Sequence, residues 1–105
     1  LAAIYVERYI MFIHVFAFRW KPGVTDAQKQ RAATEIRRLK EQISQVLEVH
    51  VGTNISVRGQ DYAFGGVMKF QSRSDFETYA DHPAHQALLS WLGLLIDPLE
   101  LDFEG

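Results

Sequence analysis

Met11-Phe12-Ile13-His14-Val15-Phe16-Ala17-Phe18-Arg19-Trp20 is the stretch that decides the fold. A strand with one face in water alternates apolar and polar residues. Here Phe12, Ile13, Val15, Phe16, Ala17, Phe18 and Trp20 are apolar on both parities. A strand of that kind has to be covered on both sides, so the rest of the chain must be read for two covers.

The first cover is helical. After a Lys21-Pro22-Gly23 turn, Thr25 is placed to cap a helix, and Gln28 three residues later completes a capping box. Ala32, Ile36, Leu39 and Ile43 recur on one helical face, while Arg31, Glu35, Arg38 and Glu41 fall on the solvent side; the helix is predicted to end near Ser44. Leu47, Val49 and Val51 alternate with Glu48 and His50 as a second strand, stopped by Gly52. A polar loop over 53–60 precedes a third strand over 61–71. Within that strand, Gly65-Gly66 signals a bulge or a close approach by another group. Ser74 and Glu77 form a second capping box for a helix over 75–81, with Phe76, Tyr79 and Ala80 on its inner face. Pro83 breaks that helix and starts another over 83–94, since the first helical position has no hydrogen bond to lose. Pro98 ends it, and Leu99, Leu101 and Phe103 alternate with acids in a last strand.

The order strand, helix, strand, strand, broken helix, strand predicts an α+β domain of ferredoxin-like βαββαβ topology, an antiparallel sheet with its helices on one face. The second cover is then missing from one chain. An identical sheet supplies it most simply, so a homodimer closing an α/β barrel is expected.

Composition narrows the function classes. The chain has 105 residues, 48% hydrophobic and 23% charged, the range of one globular domain. A net charge of −2 gives no footprint for nucleic acid or an acidic membrane. The absence of cysteine removes disulfides and thiolate chemistry, and it fits a cytoplasmic location. No stretch is apolar enough to span a bilayer. Residues 1–10 read as an N-terminal extension of a single domain over 11–105. Glu7 and Arg8 argue against a signal peptide, and Ile4, Val6 and Ile10 alternate with Tyr5, Glu7 and Tyr9 as if lengthening the first strand.

Several motifs together carry a resemblance. Phe12-Ile13-His14-Val15-Phe16, Lys21-Pro22-Gly23-Val24-Thr25, Gly52, the run Tyr79-Ala80-Asp81-His82-Pro83-Ala84-His85 and the closing Asp102-Phe103 resemble the stress-responsive dimeric α/β-barrel (Dabb) family over residues 11–104. The resemblance implies the fold and the dimer. Some members are plant stress proteins, and one branch closes linear polyketides by a cofactor-free aldol reaction. In that branch the working pair matches Tyr79 and His85, and the strand-1 histidine matches His14. A further pocket histidine falls in strand 3, where this sequence has Phe64.

The residues support a chemistry of their own. An imidazole such as His85 can take a proton near neutral pH, and a phenol such as Tyr79 can hydrogen-bond an enolate oxygen. On one straight helix the two would point apart; a bend at Pro83 lets both face one cavity. Phe16, Phe18, Phe64, Met68 and Trp91 are the expected apolar walls, with His14 in the core or pocket wall. The competing readings are structural: a locally satisfied tyrosine, His82 as a helix cap, His85 bracing the bend through a carbonyl. His82 and His85 have a chelating spacing but lack a third ligand, so no metal is expected. His50 is read as an interface residue. Three functions follow. The first is a homodimeric module that binds a small apolar or acyl-type ligand without a cofactor. The second is a cofactor-free lyase or cyclase using Tyr79 and His85. The third is a cofactor-free monooxygenase or a haem protein with His14, His50 or His85 as axial ligand.

Overall fold

A computed structural model describes residues 10–105. The extension expected over residues 1–10 therefore lies, apart from Ile10, outside the described residues. The order is β1 (Phe12–Trp20), α1 (Asp26–Gln42), β2 (Glu48–Thr53), β3 (Phe64–Phe70), α2 (Arg73–Asp81), α3 (Pro83–Leu92) and β4 (Ile96–Glu104). The strands form one antiparallel sheet in the order β2-β3-β1-β4. This is the predicted ferredoxin-like arrangement, with β1 central and the helices on one face.

The two parities of β1 have the two fates its composition demands. Phe12, His14, Phe16 and Phe18 are buried beneath the helices, while Ile13, Val15 and Ala17 look out from the opposite face. On that open face their β4 neighbours are Phe103, Leu101 and Leu99, which are 44%, 62% and 52% exposed. Under the helices Phe70, Leu39, Ile43, Met68 and Leu92 are fully buried; each contributes about 1.5–3 kcal/mol by leaving water.

Local signals place the helices. The Thr25 hydroxyl accepts from the Gln28 amide at 3.2 Å, and the Gln28 side chain accepts from the Thr25 amide at 2.9 Å. All four predicted face residues of α1 are buried. Gly23, at φ +85°, makes the preceding turn possible.

Several boundaries differ from the sequence reading. β2 runs through Gly52 to Thr53, because Gly52 keeps its place opposite Gly65. β3 begins at Phe64 rather than Asp61, because Gln60 and Asp61 both adopt left-handed backbone (φ 52° and 67°) and turn the chain first. The cap of α2 is Ser72, not Ser74: its hydroxyl accepts from the Asp75 amide at 3.1 Å. α3 stops at Leu92, short of the predicted 94. Pro98 lies within β4, opposite Phe18; an edge strand tolerates a missing donor.

Gly65-Gly66 forms no bulge, since β3 pairs without interruption with strands on both sides. The approach comes from those neighbours. A methyl on Gly66 would fall on the His50 carbonyl oxygen, and one on Gly65 would fall on the Phe16 carbonyl oxygen. Gly66→Ala should therefore destabilise the fold by about 1–3 kcal/mol through overpacking. Urea denaturation of the two proteins measures this, and a change below a few tenths of a kcal/mol would refute the crowding.

Candidate functional site

The site is built around the break between α2 and α3. Pro83 has no amide hydrogen to give to the Tyr79 carbonyl, and the His82 amide takes that place at 3.1 Å. The Ala84 amide, which would serve Ala80 in a continuous helix, donates instead to His82 Nδ1 at 3.0 Å. His82 thus closes α2 and caps α3. The Ala80 carbonyl is left to accept from the His85 ring at 2.9 Å and the Gln86 side chain at 2.8 Å.

That last contact settles the His85 tautomer. A carbonyl oxygen only accepts, so His85 Nδ1 carries the hydrogen, and the neutral ring keeps Nε2 as an acceptor. Burial pushes the His85 pKa down, against the opposing effects of the Ala80 carbonyl and Glu100. The ring is accordingly neutral at pH 7. Tyr79 is buried, its ring 4.3 Å from that of His85 and 5.0 Å from Phe70. Burial, aided by the charge of Glu100, raises its pKa, so it stays a protonated donor. No side-chain nitrogen or oxygen among the described residues is sealed from solvent without a partner.

Tyr79 and His85 open onto one cavity of about 110 Å³ between the helices and the sheet. Its walls are mainly apolar: Phe16, Phe18 and Met68 from the sheet, Leu88, Leu89 and Leu92 from α3, and Ile36 and Leu39 from α1. Its polar lining is His14, Tyr79, His85 and Glu100. His14 is held from behind, its Nδ1 2.5 Å from the Asp102 carboxylate across the β1–β4 pairing.

Of the expected lining residues, His14, Phe16, Phe18 and Met68 meet here with Tyr79 and His85, whereas Phe64 and Trp91 do not. Phe64 sits beyond Phe18, stacked on it at 6.1 Å and against Trp20. Trp91 lies on the side of α3 that faces α1, beneath the Arg31 guanidinium at 4.0 Å. The helical step from Leu88 and Leu92, which do line the cavity, turns it away. His50 is exposed on the open face beside Glu48, at 3.2 Å. Sequence reasoning missed Glu100 and the pairing of Asp102 with His14. The alternation of β4 was legible, but an apolar parity is ordinarily assigned to the core; here the acids face the helices and the leucines face out. Among the described residues no group of three or more His, Asp or Glu side chains is placed to hold a metal, and no helix is long and apolar enough to cross a membrane.

Comparison with known proteins extends this geometry. A dimeric ferredoxin-like protein of unknown function from Thermobifida fusca superposes with a TM-score of 0.79 at 25% identity, over 91% of this chain and 92% of that one. A Dabb family protein with a ferredoxin-like fold from Mesorhizobium loti gives 0.77 at 25% identity, over 90% and 95%. A hydroxynitrile lyase from Passiflora edulis gives 0.85 over 93% and 95%, at 14% identity, a likeness of fold. No curated protein matches the sequence. The model of the stress responsive A/B barrel domain matches residues 12–104, nearly the whole chain, and the protein belongs to that family, Dabb.

Proposed function

We propose that this protein acts as a homodimer in which each protomer binds one small, largely apolar molecule, its polar end against Tyr79 and His85. The observation that carries the reading is the cavity itself: apolar walls with a phenol donor and an imidazole acceptor on one side. Its size sets the ligand class. An apolar cavity of about 150 Å³ takes benzene; at about 110 Å³ this one is smaller but half open to solvent, so it suits a short branched chain or one ring that reaches its mouth. Benzyl alcohol is a suitable probe. Titrated into ¹⁵N-labelled protein, it should shift the amide signals of α3 and β1. Phe16→Trp or Met68→Trp, which fill the space, should abolish those shifts; unchanged binding in both would remove the cavity as the site.

The dimer rests on the open sheet face. Leu99, Leu101 and Phe103 are exposed beside Ile13 and Val15, and the similar Thermobifida protein is dimeric. Two such faces packed together shelter the second parity of β1. Leu101→Glu should halve the mass measured by light scattering in dilute solution, whereas a wild-type monomer would refute the arrangement.

A second reading, a cofactor-free lyase acting on a small carbonyl compound, is favoured by the tautomer of His85. Its Nε2 is the correct form to take a proton from substrate, with the Tyr79 hydroxyl placed to stabilise the oxygen that gains charge. The fold likeness to a hydroxynitrile lyase accords with this class of reaction. The neutral ring also has a stability signature. Its folded pKa lies below the ordinary value of 6.5, so as pH falls through 6.5 the unfolded chain gains a proton before the folded one does, and stability drops. Melting temperatures between pH 7.5 and 5 should fall more steeply for wild type than for His85→Asn, which retains a donor for Ala80 but cannot be protonated. Parallel curves would show that His85 is not held neutral by burial.

A further inference from the structure

We propose that Glu100 makes the cavity selective for charge: it admits small apolar compounds with an uncharged or, preferentially, a protonated-amine head, and it rejects their carboxylate counterparts. The inference rests on the ligand cavity proposed above and adds the chemistry of the ligand's polar end.

The position of Glu100 follows from the sheet. It pairs with Phe16, so its side chain leaves β4 on the helix-covered face, with the Phe16 ring and not with the exposed leucines. It lines the cavity together with Tyr79 and His85. In keeping with that placement, the charge of Glu100 adds to the rise that burial gives the Tyr79 pKa and partly offsets the fall that burial gives that of His85.

The charge count of the wall decides what this does. Among the described residues the lining contains one carboxylate and no lysine or arginine. The neighbouring acid on the same face, Asp102, is engaged by His14. His85 is neutral at pH 7 and offers an acceptor. An anionic head set against Glu100 and His85 would meet a like charge and an imidazole lone pair, with the Tyr79 hydroxyl to donate. An ammonium or hydroxyl head finds acceptors in Glu100 and His85 Nε2. With Glu100 exposed to solvent, its unit charge is screened, and attraction of a cation or repulsion of an anion changes affinity about three- to fivefold each way.

Three probes of one size test this: benzylamine, benzyl alcohol and benzoate, titrated by NMR at pH 7 into the full chain and into Glu100→Gln and Glu104→Gln. The wild type should bind benzylamine at least as tightly as benzyl alcohol and benzoate about three- to fivefold more weakly than the alcohol, so that the amine-to-benzoate ratio is about tenfold. Glu100→Gln should collapse the amine-to-benzoate ratio by about tenfold. Glu104→Gln, on the same strand but outside the cavity wall, should leave all three unchanged. If the alcohol binds but Glu100→Gln preserves the amine-to-benzoate ratio, or if Glu104→Gln changes it equally, the selector is refuted and the cavity reading stands. If none of the three binds, the cavity reading itself fails and the selector with it.

Discussion

Proline cannot donate a backbone hydrogen bond, and the arrangement of this site depends on that one absence at Pro83. The donors on either side are redistributed as a set: the His82 amide turns back to Tyr79, the Ala84 amide goes to the His82 ring, and the orphaned Ala80 carbonyl draws in His85 and Gln86. The bend and the chemistry are one event. The same contact that satisfies a stranded carbonyl fixes which His85 nitrogen bears hydrogen, and it sets the ring 4.3 Å from Tyr79. Bracing the bend therefore uses one edge of the imidazole and leaves the other free to accept.

The second organising constraint is the two-sided strand. β1 offers alternate side chains to the helices and to the open face, and each set is extended by its neighbours in the sheet. Beneath the helices the row from Phe12 to Phe18 meets Met68, Phe70 and the aromatic face of α2, where Phe12 stacks on Phe76 at 4.6 Å. On the other side Ile13 and Val15 continue into Phe103 and Leu101. The core and the proposed interface are thus separated by the thickness of one strand.

Much of this was legible in the sequence because it depends on local rules. The capping box at Thr25, the spacing of Ala32, Ile36, Leu39 and Ile43, the break at Pro83 and the order of elements all follow from short-range geometry. What escaped depended on pairing across the sheet. Ser72 and Ser74 are both competent caps, and only the backbone chooses between them. Phe64 and Trp91 are as apolar as Phe16 and Met68; their exclusion from the cavity is a matter of register and of helical rotation against α1. Glu100 and Asp102 looked like the solvent parity of an amphipathic strand, because nothing local reveals that β4 turns its leucines away from the helices.

β4 also has a vulnerability that its neighbours lack. Its odd residues serve the open face and its even ones the helix-covered face, so a shift of a single position would exchange them, driving Leu101 inward and leaving the acids beside Ile13 and Val15. The strand is pinned where Met11 and Gly105 exchange a reciprocal pair of backbone hydrogen bonds at 3.1 and 3.0 Å, and again where the Lys21 amide meets the Leu95 carbonyl at 2.9 Å. Lengthening or shortening the chain between Gly93 and Glu104 by an odd number of residues would invert both surfaces at once. An even change would displace the side chains along the strand yet keep each on its proper side.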